Sequence, residues 1–201
     1  MTTHSKETLA VHSGHIDSSD KGTNNPVYIS TSYKYLEMGD IAYTRYSNTP
    51  NQKAVVEKVA SLENSETGIV FSSGLSAVSS TLFTFLRKGD HIIFQQGLYG
   101  GTTNFILNEL EKFGIEYTLL ENNSLSSFQS AVKKNTKLIY LETPSNPLLS
   151  IINLKEMADF AKEHSLISIV DNTFASPVNQ TPQDFGIDLV LHSATKYLGG
   201  H

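Results

Sequence analysis

The sequence contains no cysteine, which removes disulfides, thiolate metal sites and a cysteine nucleophile together. No apolar run approaches the roughly 20 residues that span a bilayer, and residues 1–30 hold no stretch resembling a signal peptide. Basic residues do not predominate: 15 Lys and Arg stand against 20 Asp and Glu, a formal charge of −5. That balance argues against nucleic acid or an anionic membrane as partner, since both call for basic patches. No Gly-x-Gly-x-x-Gly run or P-loop follows any expected strand, so a nucleotide-binding reading has no motif to rest on. His12, His15 and His192 have no cysteine or acidic cluster around them, and no metal set is expected. These exclusions leave an expected cytoplasmic protein of 201 residues, 39% hydrophobic, long enough to bury one large core.

Residues 1–48 are rich in Ser, Thr, Asn and Tyr and show neither a helical nor an alternating period, which reads as an extended arm. Thr49-Pro50-Asn51-Gln52 then opens a helix with a capping box, threonine as cap, proline first and glutamine third. Beyond it, strand-length apolar runs at 68–71, 91–94, 116–120, 138–141, 166–170 and 188–191 alternate with helical stretches such as 75–86, 102–113 and 154–164. Asn153, with Glu156 three residues on, caps the last of these. The alternation predicts βαβ units: an α/β fold of three layers, with a mostly parallel sheet covered on both faces. The expected division is an arm over 1–48 and a domain over 49–201.

Such a sheet binds ligands at the carboxyl ends of its strands. Ser73-Gly74-Leu75 follows the first run; glycine permits close backbone approach, and free amides at a helix start attract an anion, although small residues also serve ordinary turns. Tyr99 on a glycine-flanked loop suits stacking on a flat ring, or simple burial in the loop. Asn146 lies between Pro144 and Pro147, placed to donate to a ring oxygen or to shape the turn. Asp171 ends the fifth run, and a buried carboxylate needs a donor or cation, whether a protonated pyridine or a local cap. Lys196 follows the sixth run, preceded by Ser193 and Thr195. A lysine after a strand is ordinarily a solvated charge, but a neutral amine beside two hydroxyls also suits a Schiff base next to a phosphate. Phosphate anchor, stacking ring, carboxylate and Schiff-base lysine, in order along one sheet edge, together describe pyridoxal phosphate.

Six stretches carry a resemblance to a known family: Tyr43-Thr44-Arg45-Tyr46, Ser73-Gly74-Leu75-Ser76-Ala77, Tyr99-Gly100-Gly101-Thr102, Glu142-Thr143-Pro144-Ser145-Asn146-Pro147, Asp171-Asn172-Thr173-Phe174 and Ser193-Ala194-Thr195-Lys196-Tyr197. The chain resembles the pyridoxal-phosphate enzymes of cysteine and methionine metabolism, the trans-sulfuration enzymes. The resemblance implies a type I pyridoxal-phosphate transferase fold and pyridoxal 5'-phosphate held through a Schiff base on Lys196. It implies that Asp171 pairs with the pyridine nitrogen, Tyr99 stacks on the ring and assists the leaving group, and Asn146 contacts the phenolic oxygen. The phosphate would be held by the Gly74 and Leu75 amides and the Ser193 and Thr195 hydroxyls, with Tyr43 and Arg45 reaching the phosphate of a neighbouring subunit in a homo-oligomer.

Three departures stand out. Ser47-Asn48-Thr49-Pro50 replaces the family's usual Gly-Asn-Pro-Thr order, Leu75 stands where methionine is common, and the sequence stops soon after Lys196, where family members continue through a small domain. The expected activity is γ-replacement or γ-elimination on a sulfur amino acid or activated homoserine, as in cystathionine γ-synthases and γ-lyases. Cystathionine β-lyase and O-acetylhomoserine sulfhydrylase activity are the alternatives, as is a non-catalytic product that binds cofactor or pairs with full-length subunits. Methionine γ-lyases often carry cysteine at the position of Gly101 and β-lyases tend to lack the Tyr99-Gly100-Gly101-Thr102 run, which looks more like the cystathionine γ-synthase and γ-lyase branches.

Overall fold

A computed structural model describes residues 4–16, 22–34, 36 and 42–200. Residue contacts divide the chain into two units, Met1–Val70 and Phe71–His201. Parts of the expected arm, residues 1–3, 17–21, 35 and 37–41, lie outside the described residues.

In the first unit, helix α1 (Lys6–His12) is capped by Ser5 and packs against α2 (Pro50–Glu63). The Lys58 ammonium, projecting from α2, donates to the carbonyls of Ala10 (2.7 Å) and Val11 (3.2 Å), groups that the end of α1 leaves without helical partners. Asparagine side chains pin the rest: Asn25 bonds Gly14 O and Ile16 N, and Asn51 bonds both backbone groups of Tyr28. The sequence-based arm therefore contains a short helix and is tied to α2 by side-chain-to-backbone bonds. At seven residues α1 buries no side chain, and so it left no apolar period to read. The capping box opening α2 is present, with Gln52 accepting from Thr49 N.

The second unit runs α3 (Gly74–Phe85), β1 (His91–Phe94), α4 (Gly100–Glu109), β2 (Glu116–Leu119), α5 (Leu125–Ala131), β3 (Thr136–Glu142), α6 (Leu154–Glu163), β4 (Ile167–Asp171), α7 (Ser176–Asn179) and β5 (Leu189–Leu191). The five strands form one parallel sheet in the order β2-β1-β3-β4-β5. The pleat sorts the core. Ile92, Phe94, Leu138, Tyr140 and Ile169 face a cluster built with Val78 and Leu82 of α3 and Ile106 of α4. Ile93, Ile139, Leu141 and Val170 face Phe128 of α5 and Met157, Ala158, Phe160 and Ala161 of α6. Strands buried on both faces are continuous apolar runs for this reason, and the three-layer α/β reading holds.

One expected strand is absent. Residues 68–71 form no regular element and pair with no strand among the described residues, and Ile69 is 67% exposed. An apolar run supplies strand propensity, but a strand exists only with a ladder partner.

Candidate functional site

Parallel strands that start in register also end together, so their carboxyl ends gather loops at one edge. Glu142, the last residue of β3, stands directly opposite Asp171, the last of β4. Around this edge lies a cleft of about 270 Å³, a little under the usual range of roughly 300–1,000 Å³ for small-molecule sites. Its lining includes Gly74, Leu75, Tyr99, Asn146, Asp171, Ser193, Thr195 and Lys196, every candidate from the second unit. Tyr43 and Arg45 belong to the first unit, where both are exposed and the guanidinium lies 5.9 Å from the Tyr43 ring centroid.

Ser73 ends the preceding segment in an extended conformation and caps α3 reciprocally with Ser76: its hydroxyl accepts from Ser76 N (3.0 Å), and Ser76 Oγ accepts from Ser73 N (2.9 Å). The next two amides, Gly74 and Leu75, have no intrahelical acceptor. Glycine is required at 74 by contact. A Cβ there would come within 2.7 Å of Ser193 Cβ and 3.2 Å of Ser193 Cα. The start of α3 and the 193–196 turn thus close on one another, bringing two helix-start amides beside the Ser193 and Thr195 residues of the same cleft. Donors of this kind around a concave wall make an anion cup.

Tyr99 caps α4 through its carbonyl, which accepts from Thr103 N at 2.9 Å. Its ring is 46% exposed and lies against Gly101, where a Cβ would meet Tyr99 Cε1 at 2.5 Å. Gly101 therefore serves as the bed for the ring.

Asp171 is half-buried. Its Oδ1 accepts from Thr173 N (3.1 Å) and the Thr173 hydroxyl, while among the described residues Oδ2 has only the long 3.4 Å bond from Tyr140 OH. Among the described residues it makes no ion pair, so one oxygen is fixed and the other remains available to a cationic donor. Thr173 Oγ1 also accepts from Ser193 N at 2.8 Å, tying the Asp171 corner to the anion cup. Full burial, followed by the nearby Asp171 and Glu142 carboxylates, pushes the Tyr140 hydroxyl well above its usual range, so it stays a neutral donor. Asn146 sits in a loop shaped by Leu149 N to Ser145 O (2.8 Å), Ser150 N to Ser145 Oγ (3.2 Å) and Ile152 N to Thr143 Oγ1 (3.0 Å).

Glu142 and Thr173 line the cleft too, and residue-by-residue reading of the sequence gave neither a role. Glu142 is only 5% exposed. Its Oε2 accepts from Tyr99 N (2.7 Å) and its Oε1 from Asn146 N (2.9 Å). Burial, opposed by those two amides and reinforced by Asp171, raises its carboxyl to about 7. The available signal was a charged residue ending an otherwise apolar strand, Leu138-Ile139-Tyr140-Leu141-Glu142.

A family model described as Cys/Met metabolism PLP-dependent enzyme matches residues 7–201. Among curated proteins, a cystathionine γ-lyase of Bacillus subtilis is 42% identical over 98% of this chain and 52% of its own length. A cystathionine β-lyase of Lactococcus lactis is also 42% identical, over 98% of this chain and 52% of its own length. Among solved structures, a putative O-acetylhomoserine (thiol)-lyase of Campylobacter jejuni, which carries N'-pyridoxyl-lysine-5'-monophosphate, superposes with a TM-score of 0.91. It is 30% identical over 99% of this chain and 52% of its own length. The chain spans about half the length of the curated relatives it matches.

Proposed function

The chain belongs to the pyridoxal-phosphate-dependent enzymes of Cys/Met metabolism, and on that premise we propose that its cleft serves γ-elimination or γ-replacement on a sulfur amino acid or activated homoserine, with Lys196 as the covalent attachment point. The observation that carries this reading is the convergence, in one cleft, of an amine, a carboxylate with one free oxygen, an aromatic face and an anion cup. The donor set fits the cofactor. Gly74 leaves the cup open where any Cβ would press on Ser193, and Asp171 Oδ2 has no strong donor of its own.

In this reading the Gly74 and Leu75 amides and the Ser193 and Thr195 hydroxyls bind the phosphate without adding net charge. Asp171 Oδ2 holds a proton on the pyridine nitrogen, and Thr173 keeps Oδ1 turned away from that task. The Tyr99 ring would lie against the bound group, and the Asn146 side chain would supply an amide donor for its phenolic oxygen. Pyridoxal phosphate, when bound, supplies an electron-accepting ring that stabilises negative charge on the substrate. Lys196 Nζ acts as base at the substrate α- and β-carbons, and the Tyr99 hydroxyl assists departure at the γ-position. Tyr43 and Arg45 complete the phosphate site of a second copy of the chain; Arg45 is exposed and its fork suits bidentate phosphate binding.

A β-elimination reading draws at least equal support from the relatives, since β-lyases are 42–44% identical to this chain and the γ-lyase 42%. Cystathionine, offered to the protein loaded with pyridoxal phosphate, separates them. γ-Elimination yields cysteine, ammonia and 2-oxobutyrate, whereas β-elimination yields homocysteine, ammonia and pyruvate. 2-Oxobutyrate is the expected product. Pyruvate would shift the assignment to the β-reaction, and release of neither oxo acid from cystathionine or acylated homoserine would overturn both.

A further inference from the structure

We infer that Glu142 is the positioning residue that sets the Tyr99 ring and the Asn146 side chain, through one carboxylate shared by their two backbone amides. The inference rests on the reading of the cleft as a pyridoxal-phosphate site.

The two loops concerned have separate origins. Tyr99 ends the connection from β1 to α4, and Asn146 lies four residues beyond the end of β3. Each donates its amide to a different oxygen of Glu142, at 2.7 and 2.9 Å. The backbone of Glu142 is held from behind. Gln95, fully buried, donates Nε2 to Glu142 O (2.8 Å) and accepts Glu142 N at Oε1 (2.8 Å). A side chain thereby extends the β1–β3 ladder by one residue past Phe94, and fixes the backbone from which the carboxylate projects. With each oxygen accepting one of these amides, Glu142 reaches a bound ring through Tyr99 and Asn146.

Only an acceptor at both ends fits this arrangement. Glutamine has nearly the same shape, but it presents an oxygen to one amide and an NH2 to the other, replacing one hydrogen bond by opposed donors. Loss of a hydrogen bond to a charged group, with a donor left unpaired, is worth about tenfold or more in a linked equilibrium. The ionisable groups around Glu142 are Asp171 on β4, Tyr140 on its own strand, and Tyr99 and Lys196 across the cleft.

The test compares the wild-type chain with Glu142→Gln well above pH 7, where the carboxyl is ionised, using pyridoxal phosphate and inorganic phosphate as probes. The variant is expected to bind inorganic phosphate like the wild type, since the anion cup makes no use of Glu142. It is expected to bind pyridoxal phosphate about tenfold more weakly and to lose or shift the visible circular dichroism induced in the bound ring. Equal affinity and an unchanged dichroism in both proteins would overturn the inference and leave the proposed function standing. A wild type that binds no pyridoxal phosphate would bring down both. Should the variant fail to fold, amide resonances of the wild type decide. Tyr99 and Asn146 should move together through one midpoint near pH 7. Different midpoints for Tyr99 and Asn146 would show that no single carboxylate holds them.

Discussion

His91 and Glu142 lie on adjacent strands at opposite ends of the sheet, one opening β1 and the other closing β3. Both are buried ionisable residues, at 0% and 5% exposure, yet their surroundings differ in kind. His91 is closed off: its Nδ1 and Nε2 lie 2.9 Å from the hydroxyls of Thr136 and Thr118. Burial, then the nearby Lys133 charge, lowers its pKa, with Glu116 opposing weakly. A neutral ring between two hydroxyls uses all its bonding capacity in holding three strands together. Glu142 meets backbone amides of loops that line a cleft, beside a second carboxylate that makes no ion pair among the described residues. The amino end of the sheet is thus electrostatically closed, and the carboxyl end keeps unbalanced groups aimed at a ligand.

The largest expected effect on ligand binding comes from Gly74→Val, which fills the approach between α3 and Ser193. Pyridoxal phosphate affinity should fall about a hundredfold, the equivalent of two lost hydrogen bonds to a charged group. Competition by inorganic phosphate should weaken in parallel, because the cup itself is blocked. Undiminished phosphate binding in that variant would place the anion elsewhere.

Next is the pH dependence of stability. Between pH about 4.5 and 7 the folded Glu142 keeps a proton that the unfolded chain has released, so raising pH through this window destabilises the fold. The loss should reach on the order of 3 kcal/mol and level off above pH 7. Denaturant titrations across the window check this, and Glu142→Gln should flatten that part of the curve. A wild-type curve that rises with pH there would contradict the buried-carboxylate assignment.

The smallest effect belongs to the closed end. His91→Asn should cost about 1–2 kcal/mol, since one threonine hydroxyl loses its partner, while cofactor affinity stays unchanged. The sign for His91 is opposite to that for Glu142. Its ring stays neutral in the fold, so wild-type stability should fall as pH drops below about 6.5, and the variant should lose that fall. A change in cofactor affinity would mean that the two ends are coupled and the comparison is wrong.

Much of this was legible in the sequence because it follows from local pattern. Five of the six expected strands form, and Asn153 and Thr49 begin helices where their caps foretold. The site candidates of the second unit were readable because residues at the carboxyl ends of parallel strands converge whatever loops lie between. Residues 68–71 misled because propensity without a ladder partner makes no strand. Helices α1, α5 and α7, at seven, seven and four residues, are too short to display a period. Glu142 was hidden for a different reason. Its role depends on an amide 43 positions away and on Gln95 bracing from the next strand, and no spacing along the chain encodes that meeting.

The central claim, that this cleft holds pyridoxal phosphate on Lys196, is tested most directly by adding the cofactor, reducing with borohydride and mapping the labelled peptide. The account predicts a visible absorption band before reduction and a single label on Lys196, lost in Lys196→Ala. A label spread over exposed lysines such as Lys112 and Lys155, or fixed on a lysine outside the cleft, would contradict it.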